Sequence, residues 1–202
     1  IYGDGMGNTN SNVAVTRTSG AVKTGLVQPI LRSVLDSGGI AWVFDMGDGY
    51  KSFCENVSGT YLDGKSLKFN PFANISSIHE SGERIRDQLA VLASPNGTLD
   101  EVHHSLLLRG VQEAWVEHQE KARIDHVVHV LESIRNDEKY HSSPGITNRL
   151  DEIVELLGKY CSWGIYGDYF NSDTPSLTDD ARFIVLELGS LQDKPDLLVA
   201  VM

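Results

Sequence analysis

The hydrophobic pattern of the chain changes period from segment to segment. Residues 23–37 carry apolar side chains at Leu26, Val27, Ile30, Leu31, Val34 and Leu35, the i, i+3, i+4 spacing of an amphipathic helix. Gly38-Gly39 follows, as glycine does past a helix C-terminus, and Pro29 inside this stretch is expected to bend it slightly. Ile40-Ala-Trp-Val-Phe-Asp45 is a continuous apolar run closed by an acid, which predicts a strand buried on both faces. Val13 to Thr16 reads as a shorter strand ahead of the helix. Strand, helix and strand make one βαβ unit, hence a parallel sheet with a right-handed crossover. Gly59-Thr-Tyr-Leu-Asp-Gly64 is a further short strand, and Asn70-Pro-Phe72 a turn.

From about residue 80 the pattern is helical throughout. Ile85, Leu89 and Leu92 form one stripe. Thr98-Leu-Asp-Glu101 reads as a capping-box start, followed by Val102, Leu106, Leu107, Val111, Ala114 and Trp115. Ile124, Val127, Val128, Leu131 and Ile134 form a third stripe. Ser143-Pro144 opens a fourth, with proline suited to a first turn, and Leu150, Ile153, Val154 and Leu157 as its buried face. A polar loop at 166–175 precedes a buried strand, Phe183-Ile-Val-Leu-Glu-Leu188, and a new apolar element begins at 196. The expected organisation is therefore an α/β part over 1–79, a helical insertion over 80–165, and a return to the α/β part over 166–202. The start at Ile1 and the apolar run at 196–202 point to a piece of something larger.

Composition narrows the function classes. The 202 residues are 41% hydrophobic and 22% charged, with a net charge of −11, which suits a globular domain with a sizeable core. No basic run is present, so a nucleic-acid ligand is not expected. Cys54 and Cys161 lie far apart without metal-ligand spacing, which suits two free thiols in a reducing compartment. Asn56-Val-Ser58 and Asn74-Ile-Ser76 match the glycosylation pattern by chance on that reading. No apolar stretch reaches the roughly 18 residues of a membrane span.

The candidate chemistry lies between the first strand and the first helix. A phosphate-binding loop follows G-x-x-x-x-G-K-[ST], because backbone N–H groups at a helix N-terminus cradle phosphate, the lysine adds a point charge and the hydroxyl ligates magnesium. Here Thr18, Ser19, Gly20, Ala21, Val22, Lys23 and Thr24 occupy those positions, with Gly20 inside the loop. Lys23 is the candidate phosphate lysine and Thr24 the candidate metal hydroxyl. Arg17 and Val22 stand where the two framing glycines are expected. A β-branched Val22 at positive φ would be strained by about 1–3 kcal/mol; at negative φ it would only crowd the phosphate.

Thr18-Ser-Gly-Ala-Val-Lys-Thr24 together with Trp42-Val-Phe-Asp-Met-Gly-Asp48, Gly59-Thr-Tyr-Leu62, Phe69-Asn-Pro-Phe72, Tyr169-Phe-Asn-Ser-Asp173 and Val185-Leu-Glu-Leu-Gly189 resembles the ATPase domain of TraC-type conjugative-transfer proteins of bacterial type IV secretion. The resemblance covers most of the chain. It implies a RecA-like P-loop fold with a helical insertion, ATP and Mg2+ as cofactors, and a hexamer of like subunits. It also implies a cytoplasmic position at the inner-membrane face, beside inner-membrane secretion components, and a role in pilus assembly and DNA or protein transfer. The second nucleotide motif of such ATPases, a strand ending in Asp-Glu, is absent; neither Asp45 nor Glu187 is a safe substitute, and the chain is expected to lack turnover alone. A catalytically silent interaction module is the competing reading, favoured by Arg17 and Val22. A DNA-translocating motor is a third, which the net charge does not help.

Other residues have plainer readings. Asp45 ends a strand and caps a turn, or else holds magnesium through water or contacts a neighbouring subunit. His126 and His129, with Asp125 and His104, are expected on a solvated helix face rather than at a metal. Trp115 is expected in the helical core. Trp163 and Tyr166 suit a partner contact or a hinge packing site equally, and Asp179-Asp180 a solvated lead-in to the last strand.

Overall fold

Phe183–Glu187 (β3) is the central strand of a parallel sheet in which Ala41–Asp45 (β1) lies on one side and Thr60–Asp63 (β2) on the other. Val43 stands opposite Val185, and Leu62 opposite Leu186. The computed structural model describes residues 20–141, 143–177 and 181–201. The strand expected at Val13–Thr16 and the pair Asp179-Asp180 lie outside the described residues.

All five residues of β3 are buried, and their alternation divides them between two cores. Phe183 and Val185 point to one face, where they pack with Cys54 and with Leu31, Leu35, Val43, Phe53 and Tyr61. That face is covered by Gly20–Asp36 (α1) and Lys51–Asn56 (α2). Ile184 and Leu186 join the larger core of the helical part on the other face. Each fully buried large apolar side chain contributes about 1.5–3 kcal/mol, so a strand buried on both faces anchors both layers.

Five helices follow β2: Ile78–Ala93 (α3), Glu101–His118 (α4), Ile124–Arg135 (α5), Glu138–His141 (α6) and Pro144–Gly158 (α7). The predicted stripes are the buried faces: Ile85, Leu89 and Leu92; Leu106, Leu107, Val111, Ala114 and Trp115; all five of Ile124 to Ile134; and Leu150, Ile153 and Leu157. Val102 is exposed and Val154 only partly buried. Gly110 lets α4 approach α5: a Cβ there would lie 3.1 Å from Val127 and 3.2 Å from Leu131. Gly167–Phe170 (α8) and Pro195–Val201 (α9) complete the described elements.

Several expectations need correction. The first helix starts at Gly20 and stops at Asp36, three residues earlier than predicted at its front. Only Val27, Leu31 and Leu35 of its stripe turn inward, while Leu26 and Ile30 are more than half exposed. The strand expected to be buried on both faces is not. Trp42 and Phe44 are 50% and 46% exposed, because the described helical part packs over β3 and β2 rather than over β1. The α4 cap is Asp100, whose carboxylate accepts from the N–H of Val102 and His103; His103 completes the capping box rather than Glu101. The single-turn helices α2, α6 and α8 were not predicted, since four to six residues carry too little periodicity to register.

Candidate functional site

Helix α1 runs antiparallel to the strands. Its C-terminal end meets the start of β3, where Nη2 of Arg182 donates to the Leu35 carbonyl at 3.1 Å. Its N-terminal turn therefore lies at the C-terminal edge of the sheet, where ligands bind in open parallel α/β folds. A helix packed on a parallel sheet takes this course when it delivers the chain to the N-terminal end of the strand that follows, here β1.

Four carboxylates of the described residues stand at that edge: Asp45, Asp48, Glu187 and Asp63, which ends β2 opposite Glu187 and accepts from the N–H of Lys65 at 2.8 Å. Asp45 ends β1: its Oδ1 accepts from the N–H of Met46 at 3.0 Å and its Oδ2 from the N–H of Tyr50 at 3.1 Å. Glu187 ends β3 and is buried, 7% exposed. It accepts the N–H of Gly47 and Asp48 at 3.1 Å on Oε2, and that of Gly189 at 2.7 Å on Oε1. Asp48 adopts φ +58, a left-handed conformation that a short polar side chain tolerates, and its Oδ1 receives the Tyr61 hydroxyl. Burial, then the bond to Asp48, raises the Tyr61 phenol well above its ordinary range. Lys51 Nζ stands 5.5 Å from the centre of the same ring.

Thr24 joins this group from α1. A Cβ at Gly49 would lie 3.3 Å from Oγ1 of Thr24 and 3.5 Å from Oδ2 of Asp45, so hydroxyl and carboxylate flank the same backbone point. Gln28 holds the loop to the helix, its Nε2 donating to the Gly49 carbonyl at 3.4 Å. Threonine hydroxyl and aspartate carboxylate are hard oxygen donors, and magnesium binds through one or two such groups while keeping several waters. The donor set fits that ion. Among the described residues no group of three or more His, Cys, Asp and Glu is arranged to hold a metal by itself.

The predicted loop residues separate into three sets. Arg17, Thr18 and Ser19 lie outside the described residues. Gly20, Ala21, Val22 and Lys23 form the first turn of α1, described by backbone alone. Gly20 thus opens the helix and does not sit in the loop. Val22 is helical, so the strain of a positive φ does not arise there. Thr24 is described in full, half-buried beside Asp45. Glu187 spends both oxygens on backbone donors, which removes it as a substitute for a water-orienting acid. Its part in joining β3 to the loop after β1 was not legible, since its partners are 139 and 140 residues away.

Other candidates fall away on geometry. His126 is not on a fully solvated face: it stacks on His118 with ring centres 3.6 Å apart, and its Nδ1 accepts from the N–H of Arg123. His129 is exposed, as expected. Trp115 is buried. Tyr166 packs on Tyr160 inside the core, which favours the hinge reading, while Trp163 is 67% exposed. A hollow of about 660 Å³ near Arg32, Asp36, Asn56 and Arg182 lies at the opposite edge of the sheet. The C-terminal ends of α1 and α2 face it, and Arg182 donates to the Leu35 carbonyl in the last turn of the first and to the Gly39 carbonyl beyond it. Among the described residues no helix is long and apolar enough to cross a membrane.

Comparison with known proteins agrees with the parallel sheet and its flanking helices. A family model described as the TraG P-loop domain matches residues 4–202. Protein TraC of Escherichia coli (strain K12) is 62% identical over 202 residues, all of this chain, which spans 23% of that relative's length. The structure of VirB4 of Thermoanaerobacter pseudethanolicus superposes with a TM-score of 0.66, covering 91% of this chain and 52% of that one at 16% identity. At that identity the likeness is one of fold.

Proposed function

Because the chain belongs to the TraG P-loop domain family, we propose that it is the nucleotide-binding part of a type IV secretion ATPase. In the longer protein, ATP hydrolysis would drive pilus assembly and transfer of DNA or protein. The observation that carries this reading is that the Thr24 hydroxyl, one residue after Lys23, and the Asp45 carboxylate flank Gly49 at the C-terminal edge of the parallel sheet.

The roles follow from the donor chemistry. The N–H groups of the first turn of α1 have no intrahelical acceptor and favour negative charge. The Lys23 ammonium would meet the outer phosphates, and the Thr24 hydroxyl would ligate magnesium. Asp45, already ordered by the N–H groups of Met46 and Tyr50, would act on the metal through water. Magnesium nucleotide supplies the activated phosphoryl group and a cation that offsets developing charge. The chain's own contribution is orientation, and without a second acidic motif we expect no turnover from it alone. A hexamer of like subunits at the cytoplasmic face of the inner membrane, among secretion components, is part of the same proposal.

Calorimetric titration with Mg2+ and a non-hydrolysable ATP analogue tests it. Saturable binding that disappears in Lys23→Ala is the expected result. No heat at millimolar nucleotide would overturn it and leave an interaction module, a reading that the half-exposed Trp42 and Phe44 favour. Restoration of binding by joint Arg17→Gly and Val22→Gly replacement would then mark a disabled motor loop.

A further inference from the structure

The buried carboxylate of Glu187 is spent on backbone alone. Gly47, Asp48 and Gly189 all donate to it, two of them from a loop about 140 residues away in sequence. Burying a carboxylate is costly unless donors surround it, and N–H groups in a turn are equally costly without an acceptor. Each solves the other's problem, and together they fix one conformation of the loop 46–50. That loop is the wall against which Thr24 rests: Gly49 faces the Thr24 hydroxyl and the Asp45 carboxylate, and its carbonyl receives Gln28. Space is tight as well, since a Cβ at Gly189 would fall 2.4 Å from Oε1 of Glu187 and 3.5 Å from the Gly47 nitrogen.

We propose that Glu187 is a positioning residue for the metal side of the phosphate site, holding the loop 46–50 so that Thr24 and Asp45 converge. This rests on the nucleotide reading above. Glu187 touches neither phosphate nor metal. It acts through Gly47 and Asp48, as outer-shell partners of metal ligands do elsewhere, where their loss costs about 10- to 100-fold in metal affinity.

Glu187→Gln keeps the shape but turns an NH2 group toward one of the backbone donors. In the full chain, titrated with a non-hydrolysable ATP analogue with Mg2+ and again with EDTA, this variant should lose about 10- to 100-fold in Mg2+-supported affinity and little in metal-free affinity. Hydrogen exchange at the Gly47 and Asp48 amides should quicken. Glu187→Asp, which keeps the charge one methylene short, should fall between and serves if the glutamine variant does not fold. Gly167→Ala, a destabilising change at the first residue of α8, reports what loss of stability alone does to both affinities.

Equal losses with and without Mg2+, or a Glu187→Gln affinity indistinguishable from the parent, overturn the proposal while leaving nucleotide binding intact. A parent chain that binds no Mg2+-nucleotide overturns the nucleotide reading and this proposal together.

Discussion

The Tyr61 hydroxyl donates to Oδ1 of Asp48, joining β2 to the loop that follows β1 across the end of the sheet. Burial first, and the Asp48 bond and charge next, raise the phenol above its ordinary value of 10.0. A raised folded-state value means that the folded protein holds this proton more tightly than the unfolded chain. The contribution is fully present below about pH 10 and is lost as pH rises beyond the ordinary phenol range. In a spectrophotometric titration of the seven tyrosines, Tyr61→Phe should remove one phenol that titrates above the ordinary range. Asp48→Asn should shift that step to lower pH. An unchanged curve in both variants would sever Tyr61 from the loop.

At the helical end, Arg149 grips the cap of α4. Its Nε donates to Oδ2 of Asp100 at 2.8 Å and its Nη2 donates to the same oxygen. The other Asp100 oxygen serves the Val102 and His103 N–H groups, and His103 reaches Glu152 on α7 at 3.1 Å. The Arg149 bond first, then the His103 donors, hold the Asp100 carboxyl far below the usual carboxylate range. A depressed folded-state value adds stability above the unfolded-state pKa and loses it as pH falls toward the folded one. Asp100→Asn should therefore lower the melting temperature at pH 7, with the gap to the parent narrowing as pH drops below about 4. A gap that stays constant with pH would show the cap to work by shape alone.

The helices α3, α4, α5 and α7 were legible because periodicity over ten or more residues reports burial directly, and β3 because a short continuous apolar run reads as a strand buried on both faces. Ile124 to Ile134 needed no tertiary information. Trp42 and Phe44 misled because hydropathy says which side chains avoid water and not which neighbours reach them. The α4 cap slipped by two residues because Thr98 and Asp100 are both cap formers, and His103 took the place where Glu or Gln is usual. At the candidate site, Lys23-Thr24 was visible as a motif. That Thr24 and Asp45 flank Gly49 depended on the antiparallel course of α1, and the hold of Glu187 on Gly47 had no local signal at all.

Two glycines separate space from propensity. A Cβ on Gly167 would sit 2.2 Å from the Cys161 carbonyl and 2.8 Å from the Ser162 Cα, both backbone atoms that cannot swing aside. Gly158, the last residue of α7, has nothing within 4 Å. Gly167→Ala should cost about 1–3 kcal/mol or more through forced backbone movement. Gly158→Ala should be neutral or gain a few tenths of a kcal/mol. Denaturant midpoints of the two variants at equal m-value check both.

The thiols of Cys54 and Cys161 are fully buried. Burial first, and the neighbouring Asp125 charge next, push the Cys161 thiol up to about 12; burial and then Glu55 raise Cys54. Only the thiolate attacks a disulfide reagent, so both groups are protected by access and by protonation. At pH 8 the native protein should show no fast thiol release with an aromatic disulfide, and two equivalents once unfolded in guanidinium. A fast native equivalent would report local opening around α2 or α7, and Cys54→Ser would identify which.

The open edge of β1 has a consequence for association. Ile40, Trp42, Phe44 and Met46 alternate along one face and are each close to half exposed or more, a contiguous apolar strip on a strand that, among the described residues, pairs only with β3. Such edges pair with other chains unless charge interrupts them. These side chains already contact water in the described fold, so charging them removes little packing. Trp42→Lys with Phe44→Lys should leave the melting temperature within a few degrees of the parent. The same change should abolish the concentration-dependent rise in sedimentation coefficient expected of the parent chain. Loss of the native circular dichroism spectrum in that variant would mean the strip is buried in the folded protein. An unchanged sedimentation profile would mean that association, where it occurs, uses another surface.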